Sequence, residues 1–155
     1  MAPVFVADEM LGDIAKWLRI MGYDVKYRRG RSDHSLIEIA RGGAILLTSD
    51  KDLHSRATRK GLVSVLVTGE TIVDKLVTIL GRFGLRPDLD NTRCTVCGGT
   101  LRLTENDKAG RTTWSCESCG KVYWKGSHWR NIAKTIESVE RGLARPGKQI
   151  NMTRR

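Results

Sequence analysis

The chain has 155 residues, 40% of them hydrophobic and 28% charged, with a formal net charge of +10, which suits one ordinary globular domain or two small ones. No apolar run approaches the roughly 18 to 20 residues that a bilayer-spanning helix needs, which excludes such a span. The start "MAPVFVADEM" lacks both the basic segment and the apolar core of a secretory signal, so the expected location is cytoplasmic, with no membrane partner.

In chain order, "VFVA" (4–7) predicts a first strand, followed by Leu11, Ile14, Leu18 and Met21 at helical spacing. "DVKY" (24–27) is a second strand, and "DHSLIEIAR" a helix for which Asp33 is the expected N-cap. "AILLT" (44–48) is a continuous apolar strand, followed by a polar helix over about 51–60. "LVSVLVT" (62–68) is a fourth strand, and "TIVDKLVTILGRF" (71–83) a fourth helix. Four strand–helix alternations predict an α/β fold with a parallel sheet flanked by helices.

The pattern breaks at "GLRPDLDNT" (84–92). Four cysteines follow, with short Thr- and Trp-containing strands. "SHWRNIAKTIESVERGL" (127–143) then carries Ile132, Ile136, Val139 and Leu143 at helical spacing, with Ser127 as the expected cap. The expected organisation is therefore an α/β domain over 1–90, a cysteine module over 91–126, a C-terminal helix over 127–143 and a basic, disordered tail over 144–155. Residues 1–90 carry 14 Lys+Arg against 12 Asp+Glu, a net of +2, whereas residues 91–155 carry 13 against 5, a net of +8. That concentration of charge favours a polyanionic partner by counterion release.

"CTVCGG" and "CESCGK" place two residues between Cys94 and Cys97, 18 between Cys97 and Cys116, and two between Cys116 and Cys119. This is the spacing of a four-cysteine zinc ribbon, in which four thiolates complete the tetrahedron and give Zn2+ a structural role. Disulfides are the alternative, disfavoured in a reducing compartment. Trp114, Tyr123, Trp124 and Trp129 near the basic surplus suit stacking on bases, although each could equally be packing. His34 and His54, at polar helix starts, are expected to be exposed. His128 stands in "YWKGSHW" between two tryptophans, where it could contact phosphate or make a structural hydrogen bond.

In a parallel sheet, functional residues gather beyond the carboxyl ends of the strands. Asp8 follows the first strand, Asp33 the second, and Asp50 and Asp52 the third. Such acids can bind Mg2+ or Mn2+ and support phosphoryl displacement. Each also has a plainer reading: Asp33 or Asp50 as a cap, Asp52 as a first-turn acid favoured by the helix dipole. Glu38 is a reserve candidate. No phosphate-binding glycine loop or nucleophile elbow is present.

"FVADEMLGDIAKWLRIMGYDV", "SDHSLIEIA", "ILLTSDKDL", the two cysteine knuckles and "KVYWKGSHW" resemble, in order, the carboxy-terminal RNase domain named after the Mut-seven protein, over roughly residues 4–140. That family is a PIN-like nuclease with an attached zinc ribbon. The resemblance implies a metal-dependent ribonuclease whose acids fall on Asp8, Asp33, Asp50 and Asp52, with Glu38 in reserve and Glu70 the one acid available after the fourth strand. The resulting expectation is a Mg2+/Mn2+-dependent endonuclease acting on single-stranded RNA, with Trp124, Lys125, His128, Trp129 and Arg130 as RNA contacts. DNA is a second polyanion that charge alone does not separate from RNA. Two other readings compete: a non-catalytic zinc-ribbon RNA-binding protein on a PIN-like scaffold, and a phospho-acceptor receiver domain, which would need a lysine where the chain reads "VTGET".

Overall fold

Apolar runs too short for helices and bounded by turn residues become four parallel strands: β1 (Val4–Ala7), β2 (Asp24–Lys26), β3 (Ile45–Thr48) and β4 (Ser64–Leu66). In the computed structural model, which describes residues 2–104, 106 and 109–145, they form one sheet in the order β2-β1-β3-β4. β1 and β3 lie at its centre, paired through Phe5 with Ile45 and Ala7 with Leu47. Burial on both faces explains their unbroken apolar character.

Alternate residues of each strand face opposite helical layers. Phe5, Ala7, Ile45 and Leu47 belong to a core shared with α1 (Gly12–Ile20) and α4 (Ile72–Arg82). Val6 and Leu46 belong to the other core, with Leu36, Ile37 and Ala40 of α2 (Asp33–Arg41) and Leu53 and Ala57 of α3 (Lys51–Arg59). The fourth strand is shorter than its apolar run predicts. Its first residue, Leu62, instead closes the turn after α3, its N–H donating to the Ala57 carbonyl at 3.1 Å.

The cysteine segment forms a separate antiparallel sheet of β5 (Leu101–Thr104), β6 (Thr113–Cys116) and β7 (Val122–Trp124). The chain then returns to the first body. Ile136, Val139 and Leu143 of α5 (Trp129–Leu143) join the core beneath α1 and α4. At Gly142 the two helices approach so closely that a Cβ would stand 2.6 Å from Val77 Cγ2, a contact that only glycine allows. Ser127 does not cap α5: His128 occupies the cap position and makes no side-chain capping bond. Of the tail expected to be disordered, residues 146–155 lie outside the described residues. Among the described residues no helix is long and apolar enough to cross a membrane.

Candidate functional site

The chain passes from β1 to β2 on one side and then to β3 on the other, so the winding reverses between the two central strands. In open parallel sheets the crevice at such a reversal, beyond the carboxyl ends, is where ligands bind. Asp8 and Asp50 stand there, at the ends of β1 and β3.

Asp8 is 8% exposed. Its N–H donates to the Leu47 carbonyl at 3.1 Å, fixing it to the neighbouring strand. One carboxylate oxygen caps the short 3-10 turn Glu9–Leu11 by accepting from Met10 N–H at 2.9 Å. The other accepts from the Thr48 hydroxyl at 2.5 Å. The same Thr48 oxygen accepts from Asp50 N–H at 3.0 Å, so one buried hydroxyl links the two aspartates. Asp50 in turn caps α3, its Oδ1 accepting from the Asp52 and Leu53 amides at 2.9 and 3.3 Å. Thr48 is a site residue the sequence reading missed. Its signal is a hydroxyl at the last position of an otherwise apolar strand.

The other two aspartates are held differently. Ser32, not Asp33, caps α2, its hydroxyl accepting from Ser35 N–H at 3.1 Å. Two adjacent residues of capping type compete there, and the first one takes the position. This leaves Asp33 in the first helical turn with its carboxylate free to pair. Arg56 of α3 donates from Nη2 to Asp33 Oδ2 at 2.5 Å and lies 3.2 Å, through Nε, from Asp52 Oδ2. The guanidinium thus joins Asp33 to Asp52 as Thr48 joins Asp8 to Asp50, and these paired carboxylates raise its pKa above the ordinary value, the Asp33 hydrogen bond foremost. Arg56, four residues beyond Asp52, was also missed. Glu38 is exposed and paired with Arg41 at 3.2 Å, and Glu70 is exposed.

The four cysteines converge. Their sulfurs all lie within 4.8 Å of one another, with Cys94 Sγ 3.7 Å from Cys119 Sγ and Cys97 Sγ 3.4 Å from Cys116 Sγ. A tetrahedron with Zn–S bonds of 2.3 Å has an edge of about 3.8 Å, so the donor set fits zinc in both chemistry and size. Among the described residues this is the one group of three or more potential ligands gathered so tightly. The Ser118 and Cys119 amides approach Cys116 Sγ at 3.3 and 3.4 Å, and Tyr123 Oη lies 3.0 Å from Cys94 Sγ.

Arg19, 3% exposed, ties this module to the α/β body. Its Nη2 and Nε donate to the Val25 carbonyl at 2.7 and 3.2 Å, and Nη1 to the Thr95 carbonyl at 3.1 Å. Burial lowers its pKa, while the nearby Cys97 and Cys94 oppose that shift. Four thiolates around one zinc ion would carry about −2, and a buried cation beside them offsets part of that charge.

A groove of about 820 Å³ runs between the ribbon, α1 and the start of α5, and Trp124, Lys125, His128 and Trp129 line it. Arg130 lies exposed on α5 outside that lining. Lys125 sits over the Trp129 ring at 4.8 Å, and Arg111 over Trp124 at 4.6 Å. Among the other histidines, His34 is exposed as expected, but His54 is half-buried, its Nδ1 2.8 Å from Ser64 Oγ.

Comparison with curated proteins and with solved structures returned no match. The family model described as "Mut7-C RNAse domain" matches residues 3–136. That span takes in the aspartates, the four cysteines and most of α5, and the chain belongs to the Mut7-C RNase domain family.

Proposed function

We propose that the protein is a Mg2+- or Mn2+-dependent ribonuclease of PIN type that cleaves single-stranded RNA internally at the edge formed by Asp8 and Asp50. The observation that carries this reading is the placement of those two carboxylates on adjacent central strands at the winding reversal, linked through Thr48. Asp8 and Asp50 would hold the first ion, and Asp33 and Asp52 would complete the site once Arg56 yields them. A bound divalent ion supplies charge stabilisation at the phosphodiester and lowers the pKa of water. The chain's own part is to fix the carboxylates: Met10 N–H and the Thr48 hydroxyl hold Asp8 in one orientation, and the α3 amides hold Asp50. The ribbon, with structural zinc, and the basic groove would hold the RNA through Trp124, Lys125, His128 and Trp129, with Arg130 alongside.

The test is hydrolysis of a labelled single-stranded RNA with Mn2+ by wild type, Asp8→Asn and Asp50→Ser. Serine keeps the cap of α3 but removes the carboxylate, so loss of cleavage by a normally folded Asp50→Ser separates a ligand from a cap. Equal cleavage by all three proteins would end the assignment. The Arg56 pairing with Asp33 and Asp52 favours a second reading, a non-catalytic RNA-binding protein whose acids are already neutralised. Salt-dependent RNA binding without hydrolysis would select it.

A further inference from the structure

α1 carries the chain from the carboxyl edge of the sheet to the opposite edge. It follows directly on the 3-10 turn Glu9–Leu11 that Asp8 caps, where the Tyr27 hydroxyl, just past β2, donates to the Glu9 carbonyl at 2.8 Å. At its end the Thr92 hydroxyl donates to the Ile20 carbonyl at 2.6 Å and Asp88 N–H to the Met21 carbonyl at 2.9 Å. The ribbon is therefore seated at the far end of α1 from the aspartates. The aromatic groove belongs to that far end, since Lys16 and Ile20, one helical turn apart, form its α1 wall.

The groove has the makings of a single-strand site. Trp124 is 41% exposed and Leu103 62% exposed, while Lys121 stands over Tyr123 at 5.2 Å and Lys125 over Trp129 at 4.8 Å. Rings interleaved with cations offer stacking faces to bases and positive charge to the backbone between them, without reading sequence. A duplex hides its base faces and could not use these rings.

We propose that this groove grips unpaired nucleotides at a fixed distance from the acid edge, so that RNA is held at one place and cut at another. The nine residues of α1 span about 13 Å at 1.5 Å per residue, about four stacked nucleotides at 3.4 Å each. The proposal rests on the ribonuclease reading for the cut, while the grip stands on the groove alone.

The test pairs binding with cleavage on oligoribonucleotides of graded length. Fluorescence anisotropy without divalent metal reports the grip, and kcat/KM with Mn2+ reports the cut. Expected are tetramer binding weakened about tenfold by Trp124→Ala and untouched by Asp50→Ser, and kcat/KM that rises at least tenfold once the oligomer exceeds about eight nucleotides, enough for groove and span together. Trp124→Ala should erase that rise. Tetramer binding insensitive to Trp124→Ala overturns the grip, even if cleavage is robust. Length-independent kcat/KM overturns the separation. Groove-dependent binding with no hydrolysis at any length removes the nuclease reading and the cut with it, and leaves the groove as the site of a binding protein.

Discussion

The Thr48 hydroxyl donates to the Asp8 carboxylate across the seam between β1 and β3. Both groups are buried, so the bond has no water to replace it. Thr48→Val keeps the shape, removes the hydrogen from Asp8 and leaves Asp50 N–H without its acceptor. The expected loss is roughly 1–3 kcal/mol of folding stability, with a higher Mn2+ requirement for cleavage. Urea unfolding and a Mn2+ titration of activity check both parts, and an unchanged Mn2+ midpoint would detach Thr48 from the site.

Arg56 pairs with both Asp33 and Asp52, the two acids that the proposed site would have to recruit. Arg56→Gln frees both carboxylates. Because the pair is exposed, thermal stability should change little, while the Mn2+ concentration for half-maximal activity should fall. A rise in that concentration would mean that the guanidinium positions the acids instead of competing with the metal.

Arg19 is the buried fastening between ribbon and body. Arg19→Met leaves the Val25 and Thr95 carbonyls without their donors, at a cost of about 3 kcal/mol. Zinc release to a chromogenic chelator should accelerate, because the first knuckle loses its support. Wild-type release kinetics with wild-type stability would refute the fastening.

Burial first, and the Arg82 cation second, hold the His54 imidazole below its ordinary value of 6.5. The unfolded chain therefore takes up that proton at a higher pH than the folded chain. Its contribution to stability is present in full above 6.5 and is lost as the pH falls through 6.5 toward the lower folded value. Melting temperatures compared near pH 7.5 and about pH 5 should show a drop in wild type that is smaller in His54→Gln, which keeps a partner for Ser64. An identical drop in the variant would assign the pH dependence to other groups.

The strand ends were legible because buried parallel strands are continuous apolar runs, and the residue that breaks each run marks an edge of the sheet. Asp8 and Asp50 could be placed that way. Thr48 could not, since a threonine at the end of "ILLT" is an ordinary strand former and its hydroxyl gains meaning only from a partner 40 residues away. Arg19 reads as one more polar residue on a helix, yet it is buried by a loop 76 residues later. The pairing of Asp33 was hidden because Ser32 and Asp33 are equally good caps by type, and the choice between them is geometric. The four cysteines were the easiest to read: their convergence is carried by spacing within two short motifs.

The close passage of Gly142 past Val77 has a consequence for how the protein is made. α4 and α5 lie on either side of the ribbon in sequence, so the core of the α/β body stays open on one flank until the whole ribbon has been synthesised. During translation the ribbon emerges and can take up zinc before α5 arrives to seal that flank. Metal loading would then precede closure of the main core, and a chain stalled within the ribbon would present the uncovered face of α4 to the ribosome surface and to chaperones.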